Sequence, residues 1–272
     1  MSDNRAIGVF DSGLGGLTVV RELFNTVPNE DIIYFGDTGR VPYGTRSVET
    51  IKKYASQDER FLLNQNVKLI IAACGTVSSV AADTANELPV PFFEVVSHAA
   101  KAAVKATKNG KIAVIGTNAT VKSRQHEKVI LSLMPDAKVF NQSCTLFVPL
   151  VEEGWYSADD IVVLETVSRY LKPVFEFGAD TLILGCTHYP ILSEAIEKVL
   201  GDSVTLINAG VATAEAVKQY LNEQGMENIR NKESEHSFYV SDKPDSFVKQ
   251  ASILLGREVD GNKVQKVDIN NL

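Results

Sequence analysis

Two cysteines stand at the ends of two similar apolar stretches, and thiols in such positions could carry chemistry. Cys74 lies within the stretch Lys68–Thr76, and Cys186 lies within the stretch Asp180–His188. Short apolar runs of this kind are typical of buried strands in a parallel sheet. In open α/β sheets, ligands bind beyond the carboxyl ends of the strands. We therefore expect both thiols at ligand-binding edges, where they could act as a pair of acid/base groups.

The two cysteines also have a structural interpretation, because free cysteine is among the most buried residue types. Two cysteines at equivalent strand ends, each followed closely by a threonine, favour a functional role instead. At the N-terminus of a helix the dipole stabilises a thiolate, so we expect a pKa below the usual ~8.5. Cys144 has no partner and no strand-end position, and is interpreted as a packing residue.

Three further sets of polar residues could serve the same edges. Asp11 and Ser12 follow the first predicted strand, where they could cap the next helix, contact a ligand, or do both. His188 shares the turn of the second cysteine and could assist proton transfer or hold a carboxylate. Glu152 and Glu153 follow an apolar segment and are either a solvated helix end or part of the site.

A glycine cluster after the first strand resembles a dinucleotide-binding loop but is incomplete. Gly13 and Gly15 fit the G-x-G-x-x-G pattern, whereas Thr18 occupies the third glycine position. Asp37 could pass for the ribose-binding acid, but the loop Thr38–Gly44 that follows it is not the usual entry to a crossover helix. The pattern disfavours nucleotide binding.

Strands and helices alternate along the chain, which predicts an α/β fold with a mainly parallel sheet. The first strand and its turn, at 7–13, recur about 105 positions later, and the cysteine strands are 112 positions apart. These similar offsets predict two similar α/β halves. We expect residues 1–97 with 208–272 in the first domain and 98–207 in the second.

Composition restricts the class of protein. The 272 residues are 44% hydrophobic and 22% charged, as in ordinary globular proteins. A net charge of −7 argues against nucleic acid as a partner. No apolar stretch approaches the ~20 residues of a membrane-spanning helix. Three cysteines without zinc-ligand spacing predict free thiols, a cytoplasmic location and no metal site.

The motifs around these positions resemble the glutamate racemases of the cofactor-independent aspartate/glutamate racemase superfamily. The resemblance spans residues 7 to about 190 and rests on motifs in the family's order: Gly8–Thr18, Gly36–Asp37, Pro42–Gly44, Ala73–Thr76, Pro149–Gly154 and Gly185–Pro190. One position departs from the family's pattern. Gly75 stands where the family usually has Asn, which removes a side-chain amide expected to touch the substrate.

The resemblance implies two α/β domains related by a pseudo-twofold axis and facing each other across a central cleft. It implies an isomerase that interconverts L- and D-glutamate without cofactor or metal. Cys74 would be the base for D-glutamate and Cys186 the base for L-glutamate, with Asp11 and His188 as auxiliary catalytic groups. Further groups follow by the same analogy: Asp37 and one of Glu152 or Glu153 in the second rank, and Ser12, Pro42, Tyr43, Gly44, Gly75, Thr76 and Thr187, with Asp11 and His188, in substrate binding.

The resemblance also implies a biological setting. A glutamate racemase supplies D-glutamate for bacterial peptidoglycan in the cytoplasm, and we expect a homodimer with no nucleic-acid or membrane partner. Three rival functions stay open at this level. They are racemisation of another acid such as aspartate, ligand binding without catalysis by a two-lobed protein, and a nucleotide-dependent reaction.

Overall fold

The structure, a computed structural model, describes residues 2–230 and 233–268, whose strands form two separate sheets. Every strand pair in both sheets is parallel. The strands are β1 Ile7–Asp11, β2 Ile32–Gly36, β3 Leu69–Ala72, β4 Phe92–Glu94, β5 Lys111–Gly116, β6 Lys138–Ser143, β7 Thr181–Leu184, β8 Thr205–Asn208, β9 His236–Val240 and β10 Val264–Lys266.

Helices connect the strands in the alternating order that the sequence predicts. They are α1 Leu17–Thr26, α2 Val48–Asn64, α3 Gly75–Val80, α4 Val95–Ala106, α5 Asn118–Ser123, α6 Gln125–Leu133, α7 Phe147–Glu152, α8 Ile161–Phe177, α9 Ser193–Leu200, α10 Ala209–Gln224 and α11 Pro244–Leu255. Short 3₁₀ turns occupy Tyr43–Thr45, Ala82–Glu87, Tyr189–Leu192 and Gly261–Lys263. None of the described helices is long and apolar enough to cross a membrane.

The two sheets have the same internal order. The first runs β10-β9-β2-β1-β3-β4 and the second runs β6-β5-β7-β8. The order β2-β1-β3-β4 therefore recurs as β6-β5-β7-β8, which confirms the predicted α/β fold with two similar halves. Strands β9 and β10 extend the first sheet beyond β2, in agreement with the expected return of the C-terminal segment to the first half.

The division into domains at 97/98 and 207/208 stays a prediction: β8 of the second sheet ends at Asn208, one residue beyond the second boundary, and α4 spans the first. The predicted first domain includes some positions outside the described residues, namely 1, 231–232 and 269–272. A continuous apolar core runs from the first sheet to the second. Helices α1, α4 and α10 pack together within it, and α4 contributes the small buried residues Ala99, Ala100 and Ala103.

The register of the central strands brings the functional turns to common edges. Strands β1, β2 and β3 are buried over most of their length and are aligned so that Ile7 faces both Ile32 and Leu69. Because the strands are parallel, the turns after all three leave the sheet at one edge. In the second sheet, Ile115 faces Leu184, so the turns after β5 and β7 also lie side by side.

Three strands were not predicted, because their hydrophobic patterns are weak. Strand β6 is half-buried and mostly polar, and β8 has only four residues, with an exposed first position. Strand β10 has three residues, two of them exposed. The helix predicted up to about Glu87 is also shorter than expected, since α3 ends at Val80 and a 3₁₀ turn follows.

Candidate active site

A cavity of about 290 Å³ lies between the two halves, at the carboxyl ends of their strands. The turns after β1 and β3 form one side of it, and the turns after β5 and β7 form another. Both strand-end cysteines line this cavity. The predicted site residues on its wall are Ser12, Pro42, Tyr43, Gly44, Cys74, Gly75, Thr76, Glu152, Cys186, Thr187 and His188.

Cys74 follows β3 and precedes the first residue of α3, and its side chain is 4% exposed. Its Sγ lies 3.5 Å from Ser12 Oγ. Burial, together with the nearby charge of Asp11, raises the pKa of the Cys74 thiol to about 12. The expected lowering of this pKa by the helix is therefore wrong, because α3 has only six residues and the loss of solvent outweighs its dipole.

Cys186 follows β7 after one glycine and lies beside a histidine. Its side chain is 8% exposed, and its Sγ is 3.9 Å from His188 Nδ1. The next α-helix begins only at Ser193, after the 3₁₀ turn, so no α-helix starts at this cysteine as one does at Cys74. The polar neighbour of the second thiol is therefore an imidazole and not the N-terminus of an α-helix.

His188 is buried between a thiol and a carboxylate. Its Nε2 lies 3.3 Å from Glu152 Oε1, within ion-pair distance but without the alignment of a hydrogen bond. Burial alone would lower the pKa of His188, but the contacts with Cys186 and Glu152 and the charge of Asp11 raise it to about 10. The imidazole is therefore protonated at neutral pH.

Asp11 is buried behind the cavity wall, and Ser12 faces the cavity. Oδ2 of Asp11 accepts a hydrogen bond of 3.0 Å from the Gly13 amide, and its Oδ1 has no partner among the described residues. Burial raises the pKa of Asp11, although the charge of His188 opposes that shift. The helix-capping interpretation is wrong, because α1 begins only at Leu17.

Hydroxyl groups from both halves surround the thiols. Thr76 Oγ1 lies 3.3 Å from Thr117 Oγ1 of the other half. Thr187 also lines the cavity, and its carbonyl oxygen accepts a hydrogen bond of 2.8 Å from Thr18 Oγ1 across the two halves. Hydroxyls in such positions can donate hydrogen bonds to a carboxylate ligand.

Close backbone approach explains two glycines. A β-carbon at Gly75 would overlap the carbonyl oxygen of Gly185, and a β-carbon at Gly15 would overlap the Thr187 side chain. The two halves therefore meet at these glycines, immediately beside the second cysteine. A side chain at position 75 would require the halves to separate locally.

Besides Asp11, two further predicted auxiliary residues lie off the cavity wall. Asp37 is fully buried beneath the loop that follows β2. Its carboxyl group accepts hydrogen bonds from Arg40, Tyr43 and Ser241. Glu153 is exposed, whereas its neighbour Glu152 lines the cavity. Within the described residues, no cluster of three or more histidine, cysteine or acidic side chains could hold a metal ion.

The sequence profile of the Asp/Glu/hydantoin racemase family matches residues 7–217. The chain belongs to this family. A glutamate racemase of Syntrophus aciditrophicus is 45% identical over 97% of this chain and 96% of its own length.

Solved structures agree with the family assignment. A glutamate racemase from Francisella tularensis, in complex with D-glutamate, is 38% identical with a TM-score of 0.92, over 99% of this chain and 100% of that one. A Thermus thermophilus glutamate racemase, in complex with β-chloro-D-alanine, is 39% identical with a TM-score of 0.89 over the full length of both chains. The predicted fold class, and an isomerase of the amino-acid racemase type, are thereby confirmed.

Several wall residues were not predicted, although an internal comparison of the two halves indicates some of them. Thr117 and Asn118 line the cavity and follow β5 as Ser12 and Gly13 follow β1. The offset of about 105 positions between the halves could have identified them. Thr145 carries no such signal, because it follows the weakly patterned strand β6.

Proposed function

We propose that this chain interconverts L- and D-glutamate through two cysteine thiols. The observation that carries the proposal is the presence of both strand-end thiols, Cys74 and Cys186, on the wall of one cavity. The relatives support glutamate as the substrate. They are named glutamate racemases, and the Francisella tularensis structure holds D-glutamate.

Two bases suit racemisation because the α-hydrogen leaves one face of the substrate and a proton arrives on the opposite face. For L-glutamate, the Cys186 thiolate takes the α-proton, and the Cys74 thiol then donates a proton to the α-carbon. The product is D-glutamate, and the enzyme is left with a Cys186 thiol and a Cys74 thiolate. D-glutamate reacts by the reverse steps, so Cys74 is the base in that direction.

The electrostatics of the two thiols support this starting arrangement. The protonated imidazole of His188 lies beside Cys186 and can stabilise negative charge on its sulfur during the reaction, whereas burial and the charge of Asp11 favour a protonated Cys74. Hydroxyls of Ser12, Thr76 and the threonine at 187 can hold the substrate carboxylates and position the α-carbon.

The acidic residues near the site receive indirect roles or none. Asp11 acts on Cys74 and His188 through its charge. Asp37 supports the wall from beneath, through Tyr43. Glu152 orients the imidazole, and Glu153 has no part in the reaction.

The wider setting belongs to the same proposal. D-glutamate made by the chain would enter peptidoglycan synthesis, and the three free cysteines suit a reducing cytoplasm. The chain would form a homodimer, which sedimentation can measure. We expect full activity after dialysis against a chelator and without pyridoxal phosphate.

The test begins with purified protein and L-glutamate in deuterated water. Optical rotation should fall while deuterium enters the α-position, and L-aspartate should be turned over far more slowly. Cys74→Ser and Cys186→Ser should each abolish racemisation, because a serine hydroxyl is too weak an acid to replace a thiol at neutral pH. Cys144→Ser is the matched control and should keep the wild-type rate.

A substrate with a leaving group on its β-carbon separates the two bases, because elimination needs only one of them. Cys74→Ser should eliminate from the L-enantiomer and Cys186→Ser from the D-enantiomer. Racemisation by either single variant would contradict the two-thiol mechanism. Equal elimination from both enantiomers would show that the thiols do not serve opposite faces.

A further inference from the structure

A buried polar cluster lies directly beneath the cavity wall formed by Pro42–Gly44. It joins two carboxylates, Asp37 after β2 and Asp58 on α2, both of them fully buried. Arg40 Nε lies 2.5 Å from Asp37 Oδ2, and Arg40 Nη2 lies 3.0 Å from Asp58 Oδ1. The Tyr43 hydroxyl contacts Oδ2 of both carboxyl groups, at 3.0 Å from that of Asp58.

Counting protons assigns the direction of these hydrogen bonds. Asp37 accepts from Ser241 Oγ at 2.8 Å, from Arg40 and from Tyr43, as expected of an ionised carboxylate. The Tyr43 hydroxyl has one proton, which its closer contact with Asp37 uses. The contact between Tyr43 and Asp58 then lacks a proton unless Asp58 supplies it.

Charge leads to the same assignment. Two ionised carboxylates and one guanidinium would leave a net negative charge in a buried cluster, which is costly. With a proton on Asp58, the ion pair of Asp37 and Arg40 is neutral overall. Every polar contact of the Tyr43 hydroxyl then has one donor and one acceptor.

We propose that Asp58 is a positioning residue, which keeps its proton at neutral pH and donates it to Tyr43 to hold the Pro42–Gly44 wall in place. This inference rests on the proposed function only in assigning that wall to substrate binding. Asp58 itself does not line the cavity. It acts through Tyr43, which lines the cavity together with its neighbours on both sides.

The surrounding groups agree with a protonated Asp58. Burial is the main cause that raises its pKa well above the usual range, and the charge of Asp37 adds to it. Arg40 and the Tyr43 hydrogen bond oppose this shift, and Glu59 reinforces it. The elements packed against α2 also bring the acids Asp11 at the end of β1, and Asp83 and Glu87 in the 3₁₀ turn at 82–87.

Kinetics of two substitutions test the positioning role. Asp58→Asn keeps a donor for Tyr43 and an acceptor for Arg40, so kcat and KM for glutamate should stay within about threefold of wild type. Asp58→Ala removes the donor, and kcat/KM should fall at least about tenfold. Glu59→Gln is the matched control, because this neighbouring carboxyl bonds Thr84 and not the cluster. Equal losses in Asp58→Asn and Asp58→Ala would overturn the proposal.

A stability measurement tests the proton without any activity. A carboxyl group that stays protonated in the fold but ionises on unfolding loses its stabilising effect as pH rises above ~3.9. The unfolding equilibrium constant of wild type, divided by that of Asp58→Asn, should rise about tenfold per pH unit from pH 5 to 7. A ratio independent of pH would overturn the proposal, whether or not the protein racemises glutamate. If the wild-type protein did not racemise glutamate while the ratio still rose tenfold per pH unit, the proposed function would be rejected and the protonation of Asp58 would stand.

Discussion

At the scale of single residues, the two thiols differ in the charged groups that surround them. Cys74 sits near the Asp11 carboxyl group, which raises its pKa, while Cys186 lies beside the protonated imidazole of His188. One thiol and one thiolate is the pair that a two-base racemisation needs at its start. Only the contacts in the folded chain produce this difference, since both cysteines follow similar strands.

The Glu152–His188 contact should matter more than the neighbouring glutamate. Glu152→Gln removes the charge 3.3 Å from His188 Nε2, so kcat should fall by about tenfold or more, with a smaller change in KM. Glu153→Gln is the control, because its side chain is exposed, and should change kcat less than twofold. Steady-state assays in both directions measure this, and equal effects of the two substitutions would contradict the assignment.

The raised pKa of His188 should appear in the pH dependence of stability. The group titrates at about 10 in the fold and at ~6.5 when unfolded. Its stabilising contribution is therefore complete below pH 6.5 and is lost as pH rises through about 10. Thermal unfolding of wild type and His188→Asn should show a Tm difference that is largest at pH 6 and shrinks towards pH 10.

His126 supplies a control of opposite sign. Burial lowers its pKa to about 4, so it is neutral in the fold. Its contribution is present above pH 6.5 and is lost as pH falls towards 4. The Tm difference between wild type and His126→Asn should therefore shrink on acidification. The same pH trend for both variants would contradict the assigned protonation states.

At the scale of elements, the turns after β3 and β7 meet because Gly75 and Gly185 have no side chains to separate them. The missing amide at position 75 was expected to weaken a contact with the substrate. The structure adds a steric reason for the glycine, since any β-carbon there would overlap the Gly185 carbonyl oxygen. The departure from the family's usual Asn thus accompanies a close approach of the two halves.

Gly75→Asn separates the two explanations. The overlap predicts that it lowers kcat, raises KM and reduces the free energy of unfolding by about 1–3 kcal/mol. Gly261→Ala is the control, because an added β-carbon would make only ordinary contacts there. A lower KM with kcat unchanged would show instead that the amide was the missing contact and that the halves adjust readily.

At the scale of the whole molecule, the cavity wall includes residues of both halves, so a ligand bridges them. D-glutamate at about one hundred times its Kd should raise the free energy of unfolding by about 2.7 kcal/mol. Nucleotides should produce no change, because the glycine loop lacks the complete dinucleotide pattern. Calorimetry measures both, and stabilisation by a nucleotide alone would support the nucleotide-dependent rival.

The sequence by itself determined the α/β class, the two similar halves and the two strand-end thiols. These features are local: apolar runs mark buried strands, and the recurrence of strand and turn at a similar offset is visible in the chain. The racemase motifs add the family, because they involve residues that lie together in short segments.

Only the tertiary structure decided which candidates share the cavity and how each is charged. Asp37 lies beneath the wall, Glu152 rather than Glu153 reaches His188, and burial raises the pKa of Cys74 where a helix dipole was expected to lower it. The reason is physical. Burial and contacts between residues far apart in sequence set the charge of a group, and such contacts exist only when the two sheets have packed together.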